Sequence, residues 1–252
     1  MKSLLINVIL LLGIAIPGMM AQEQKEQLWL AGVEVVKPDM VTRYLELNKE
    51  MTAICQSEKF PYSFYVWTSG DFRYYLWYPI KSLEDIPAID KAWKAIVDKW
   101  GVDKYATFQE CLEYTEQKVM ISRPDLNVEP QQPAASPGEN NYCWWQEFYL
   151  KNGHEKAVEA LFKEGEKLIG NRSIQILMGY GKSGFELPVL IMWSFGKSKN
   201  DYWIKDKNDW EQMDEQTIAA FKKIDDEFTT HLRKYVYRDM WWQKDISYEK
   251  AE

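Results

Sequence analysis

The apolar residues of this chain switch between strand-like and helix-like spacing, and the order of switching is written twice. LWLAGVEVVK (Leu28–Lys37) and CWWQEFYLK (Cys143–Lys151) are short, aromatic and β-branched, and both predict strands. A helix is predicted after each. Val41, Tyr44, Leu45, Met51 and Ile54 recur at helical spacing in one place, and Ala157, Val158, Leu161, Leu168 and Ile169 in the other. Two further strands then flank a tight turn with Ser-Gly at its tip, Ser69-Gly70 and Ser183-Gly184. LWYPIKSLED and MWSFGKSKND end these hairpins with the same phrase: Trp77 and Trp193, Ser82 and Ser198, and Asp85 and Asp201 are each 116 residues apart. The phrase reads as strand end, turn and helix cap, because Ser and Asp oxygens accept from free backbone N–H groups. A repeated binding motif is the alternative reading. Long helical segments follow, through Ile86, Ile89, Trp93, Ile96 and Trp100 with a break at Gly101, and from Trp210 to Leu232. Each half closes on a strand, VMISRPDLNVEP or DMWWQKDISYEK.

The predicted fold class is therefore α+β, two tandem ferredoxin-like β-α-β-β-α-β units. YYLWYPI and VLIMWSF barely alternate, so both faces of these strands are expected to be buried. Helices cover one face, and the other half's sheet is expected to cover the second, the units packing sheet to sheet. The expected organisation is a signal peptide over 1–21, a first unit over 22–126, a Pro-rich linker over 127–141 and a second unit over 142–252. This order of elements resembles the dimeric α+β barrel superfamily, which includes NIPSNAP-like and antibiotic-biosynthesis-monooxygenase-like proteins. The resemblance implies a pseudo-dimeric barrel in one chain, monomeric by internal pairing and enclosing a cavity. It carries over no catalytic residue.

Composition narrows the functions. Lys2, the apolar Leu4–Ile16 run and Ala21 form a secretory signal pattern, implying export to a periplasm or the exterior, with no membrane association once it is removed. A net charge of −7 gives no electrostatic reason to bind nucleic acid. The 12 tryptophans are either large core pieces or the lining of a pocket. Cys55, Cys111 and Cys143 have no zinc-like spacing; Cys55 and Cys111, on helices of one face, are candidates for a disulfide.

Candidate chemistry rests on polar residues inside apolar strands. Aligning Lys37 with Lys151 gives Glu34 and Gln146 the same strand parity, so they are expected on the same side of their sheets, with Glu147 on the other. Glu34, Gln146, Arg73, Tyr74, Tyr78 and Gln175 are the expected ligand-binding set, with Glu34 the catalytic candidate. A carboxylate buried among rings has a raised pKa and can act as acid or base, unless it pairs with a cation such as Arg73. His231 is the candidate haem ligand and no other metal ligand is expected; the leading expectation is that no cofactor is used. Asn171-Arg172-Ser173 matches the glycosylation acceptor pattern. Three functions fit: an exported binding protein with a small apolar or aromatic ligand between its halves, a cofactor-independent oxygenase or isomerase using Glu34 in that cavity, and an envelope interaction module with a filled barrel.

Overall fold

The computed structural model describes residues 26–129, 139–169 and 172–250. The expected signal peptide, the middle of the Pro-rich linker and Asn171 of the acceptor pattern lie outside these residues. Among the described residues the first half runs β1 (Leu28–Val36), α1 (Val41–Ser57), β2 (Tyr65–Ser69), β3 (Arg73–Ile80), α2 (Asp85–Trp100), α3 (Val102–Glu110) and β4 (Leu112–Ser122). The second runs β5 (Tyr142–Leu150), α4 (Glu155–Ile169), β6 (Ile176–Ser183), β7 (Val189–Gly196), α5 (Lys199–Glu211), α6 (Glu215–Thr230) and β8 (Leu232–Trp242).

The strands form one closed antiparallel barrel in the order β1-β3-β2-β8-β5-β7-β6-β4. β1 lies between β3 and β4, and β5 between β7 and β8. The halves are thus joined edge to edge as well as face to face. β2 pairs with β8, placing Trp67 opposite Trp242, and β4 pairs with β6. These seams close the barrel over short stretches, Trp67–Ser69 against Met240–Trp242 and Val119–Ser122 against Gly179–Ser183, and there the outer strands pair within the chain.

The two halves share one register. Leu28 lies opposite Ile80 and Ile121, and Tyr142 lies opposite Gly196 and Trp241. Each strand residue therefore has a counterpart in the other half. Trp77 and Trp193 are such a pair, as are Met120 and Met240, and all four point into the barrel with Val33, Cys143, Val189 and Ile191. Ala31 and Trp145 are a third pair. Trp145 sits between Trp77 and Trp193, with ring centroids 5.2 and 5.8 Å away, while the small Ala31 belongs to the same buried cluster. One large and one small residue at equivalent positions let three indoles share the interior. Side chains of opposite parity face outward. Those of the first half pack beneath α1–α3, where Tyr44, Leu47, Met51 and Cys55 form the buried stripe of α1. Those of the second pack beneath α4 and α6.

The repeated phrase forms matching turns. The Asp85 carboxylate accepts from the N–H of Lys81, and that of Asp201 from Lys197. Ser198 caps α5 by accepting from the N–H of Asp201. Other expectations are corrected. Leu232 begins a strand rather than ending a helix, because LRKYVYR, like LEYTEQK in the first half, keeps an outer face in solvent and so lacks an apolar run. The last helical segment is two helices, divided where Asp214 accepts from the N–H of Thr217 and caps α6. The linker is bound at its start: Val128 bridges to Ile176, and Asn127 Oδ1 accepts from the N–H of Met178. Cys55 and Cys111 are free buried thiols and form no disulfide.

Candidate functional site

The barrel interior is occupied by side chains. Its middle holds the three indoles. Toward one end lies Glu147, 1% exposed, which accepts from Trp145 Nε1 at 3.0 Å, Tyr149 Oη at 2.6 Å and Arg238 at 3.1 Å. Nearby, the hydroxyl of Tyr75 is buried without a partner, and burial pushes it up to about 12. A carboxyl buried with three hydrogen bonds is well satisfied, and this constellation occupies part of the interior between the two halves.

Glu34 lies on the opposite face. It pairs in register with Tyr74 and Thr115, so its side chain leaves the barrel and meets α1. There its half-buried carboxyl accepts from Tyr44 Oη at 2.5 Å. Burial raises it from 4.5 to about 7, against the lowering effect of that hydrogen bond. Tyr74 stacks at a tilt on Tyr44, with centroids 4.6 Å apart. Tyr78 accepts from Trp93 Nε1 at 3.1 Å, and both burial and the nearby Glu34 raise its hydroxyl. Two of the expected residues, Tyr74 and Tyr78, are thus brought to Glu34, but beneath helices rather than between the halves.

The rest of the expected set is scattered. Arg73 is one register position from Tyr74 and so takes the other face. It bonds Asp71 and the hydroxyl of Tyr114, not Glu34. Gln175 donates to Glu129 at 2.9 Å before β6 begins. His231 is the C-cap of α6 and its Nδ1 lies 2.6 Å from Nδ1 of His154, so one ring donates and the other accepts. The contact engages Nδ1 alone, and Nε2 of His231 is buried without a hydrogen-bond partner. Among the described residues no three His, Cys, Asp or Glu side chains group as metal ligands.

Gln146 shares its parity with Glu34, as expected, and opens a site that the sequence reading missed. On the outer face of β5 and β8 a groove of about 500 Å³ is lined by Trp144, Gln146, Lys199, Trp203, Tyr235, Tyr237 and Asp239. Trp203 and Lys199 come from α5, whose position is set by the buried Tyr202 against Tyr142 and Trp144. Gln146 Oε1 is buried there without a hydrogen-bond partner. Lys199 pairs with Asp239, which also accepts from Tyr142. The available signal was LRKYVYRDMWW, in which Tyr235, Tyr237, Asp239 and Trp241 occupy every second position and so share one strand face.

No protein-family model and no curated protein matches this sequence. Solved structures do match in shape. An anthrone oxidase-like protein is 14% identical with a TM-score of 0.57, over 87% of this chain and 92% of that one. A putative monooxygenase from Fusobacterium nucleatum subsp. nucleatum is 10% identical with a TM-score of 0.56, over 90% of this chain and all of that one. Another from Lactobacillus acidophilus NCFM is 6% identical with a TM-score of 0.54, over 90% and 98%. At these identities the likeness is one of fold: this chain is an α+β barrel of their kind.

Proposed function

We propose that this protein is an exported, monomeric, small-molecule-binding protein built from two fused ferredoxin-like units, and that its ligand lies outside the barrel. The carrying observation is the contrast between a barrel axis packed by Trp77, Trp145 and Trp193 and an open outer groove holding an unpartnered Gln146. Apolar pockets with a few converging polar groups are the usual form of a ligand site. Native mass spectrometry of protein purified from its own host tests the reading. A retained small molecule that is lost from Trp203→Ala supports it. A ligand retained equally by Trp203→Ala and lost from Glu34→Gln would move the site to the first half.

A second reading has its own support. Glu34, raised to about 7 among tyrosines, suits a general base near neutrality, and the fold neighbours bear the names anthrone oxidase-like protein and putative monooxygenase. In this cofactor-independent oxygenation, Glu34 takes a proton from an activated CH₂. The carbanion is oxidised by O₂, yielding C=O and water. Oxygen uptake with anthrone, lost in Glu34→Gln, would favour this reading; no uptake above buffer would remove it.

A further inference from the structure

The groove on the second half has a definite chemistry, and the inference drawn from it rests on the ligand-site reading above. Tyr235 and Tyr237 are 62% and 63% exposed, with centroids 6.4 Å apart and ring planes 22° from parallel. Together they form an exposed aromatic shelf. Trp144 and Trp203 meet edge to face at 5.0 Å and stand beside it. Gln146 lines the same groove, and its Oε1 is buried behind the surface without a partner. Lys199 and Asp239 pair with each other, so the lining offers donors and acceptors of both kinds without net charge.

We infer that this groove binds a neutral oligosaccharide, the pyranose rings lying on the aromatic shelf. A pyranose carries an apolar C–H face and a rim of hydroxyls. The face covers a ring as any apolar surface does, while the phenolic and indole edges stay wet and polar. The rim supplies the O–H donor that Gln146 Oε1 lacks, and it can exchange hydrogen bonds with the Lys199–Asp239 pair. Charge complementarity points the same way. An anionic ligand would meet the Asp239 carboxylate, a cationic one the Lys199 ammonium, and each would break the pair to bind. A flat apolar aromatic ligand would leave Gln146 as unpaired as before, which is the expensive arrangement for a buried acceptor. The first half marks the difference. Its counterparts of Tyr235, Tyr237 and Gln146 are Thr115, Gln117 and Gly32, so the same face there has no shelf.

The test uses the full chain after signal removal, titrated with cellotetraose, maltotetraose and chitotetraose and, as an apolar control, 1-naphthol, with tryptophan fluorescence as the readout. At least one saccharide is expected to bind saturably. Tyr237→Ala and Trp203→Ala are expected to weaken it by about tenfold or more at unchanged melting temperature. Gln146→Leu, which removes the acceptor and keeps the volume, should weaken the saccharide and leave 1-naphthol unaffected. Binding of 1-naphthol alone, abolished by Trp203→Ala, would overturn the saccharide and leave the groove as the ligand site. Binding of neither probe would overturn both. Saccharide binding indifferent to all three substitutions would place it elsewhere and overturn the inference. So would a concentration-dependent dimer in sedimentation that Tyr237→Ala dissolves, because the shelf would then belong to a second copy.

Discussion

The two halves of the barrel use one backbone plan to make two different outer faces. On the first, Glu34 and Tyr44 form an acid–phenol pair at 2.5 Å. Their counterparts on the second, Phe148 and Val158, are both buried in an apolar cluster. Conversely, Gly32, Thr115 and Gln117 correspond to Gln146, Tyr235 and Tyr237. The first half placed its polar chemistry under a helix, and the second placed aromatic chemistry in the open. Neither altered the barrel, because side chains on opposite faces of a strand change independently while register is held by the interior.

The comparison can be broken most severely inside the barrel, where Ala31 and Trp145 are unequal counterparts. Trp145→Ala opens a cavity between two indoles and strips Glu147 of a donor. It is expected to cost about 3–5 kcal/mol in chemical denaturation. Ala31→Trp added to that variant should recover part of the loss, since the two positions share one space. No recovery would mean that the halves are not interchangeable at their core.

The next largest effect belongs to Glu34. An acid whose pKa is raised in the folded protein binds more protons folded than unfolded. Stability should therefore fall as pH rises from about 4.5 to about 7, then level off. Glu34→Gln should abolish that slope and stabilise the protein at pH 8 by at most about 3 kcal/mol, with no gain at pH 4. Thermal unfolding of both proteins across that range measures it. A variant that is less stable at pH 8 would show that the charged form is favoured by the fold.

The architecture was largely legible in the sequence, for a physical reason. Register is a property of the interior, and the interior residues Trp77 and Trp193 sit in phrases that repeat. The strands β4 and β8 were legible only at their ends. With one face in solvent, Glu113, Thr115 and Gln117 are polar, and no apolar run marks them. The two seams left no signature, because β2–β8 and β4–β6 pairing is made by backbone groups that every residue carries. Strand parity puts Glu34 and Gln146 on the same side of their sheets, but parity alone does not distinguish the interior from the outer face. That was decided by three tryptophans filling the other side. The groove was missed because its residues come from β5, β8 and α5, and only the alternating tyrosines of β8 hint at it.

Two smaller effects sharpen the contrast at the outer face. Gln146→Leu removes a buried acceptor without a partner and should raise stability by about 1 kcal/mol in urea unfolding. A loss would mean that Gln146 has a partner in solution. Tyr237→Gln installs the first half's own residue at an exposed position and should shift stability by less than about 0.5 kcal/mol while weakening ligand binding.

The central claim is that ligand binds outside a filled barrel, and the indole N–H resonances of the tryptophans report on both places in one spectrum. With assigned ¹⁵N-labelled protein titrated in turn with cellotetraose and 1-naphthol, the account expects shifts at Trp144 and Trp203, which line the groove. Trp77, Trp145 and Trp193, packed in the interior, should stay where they are. Shifts at those three with Trp144 and Trp203 unmoved would put the ligand inside the barrel and contradict the account.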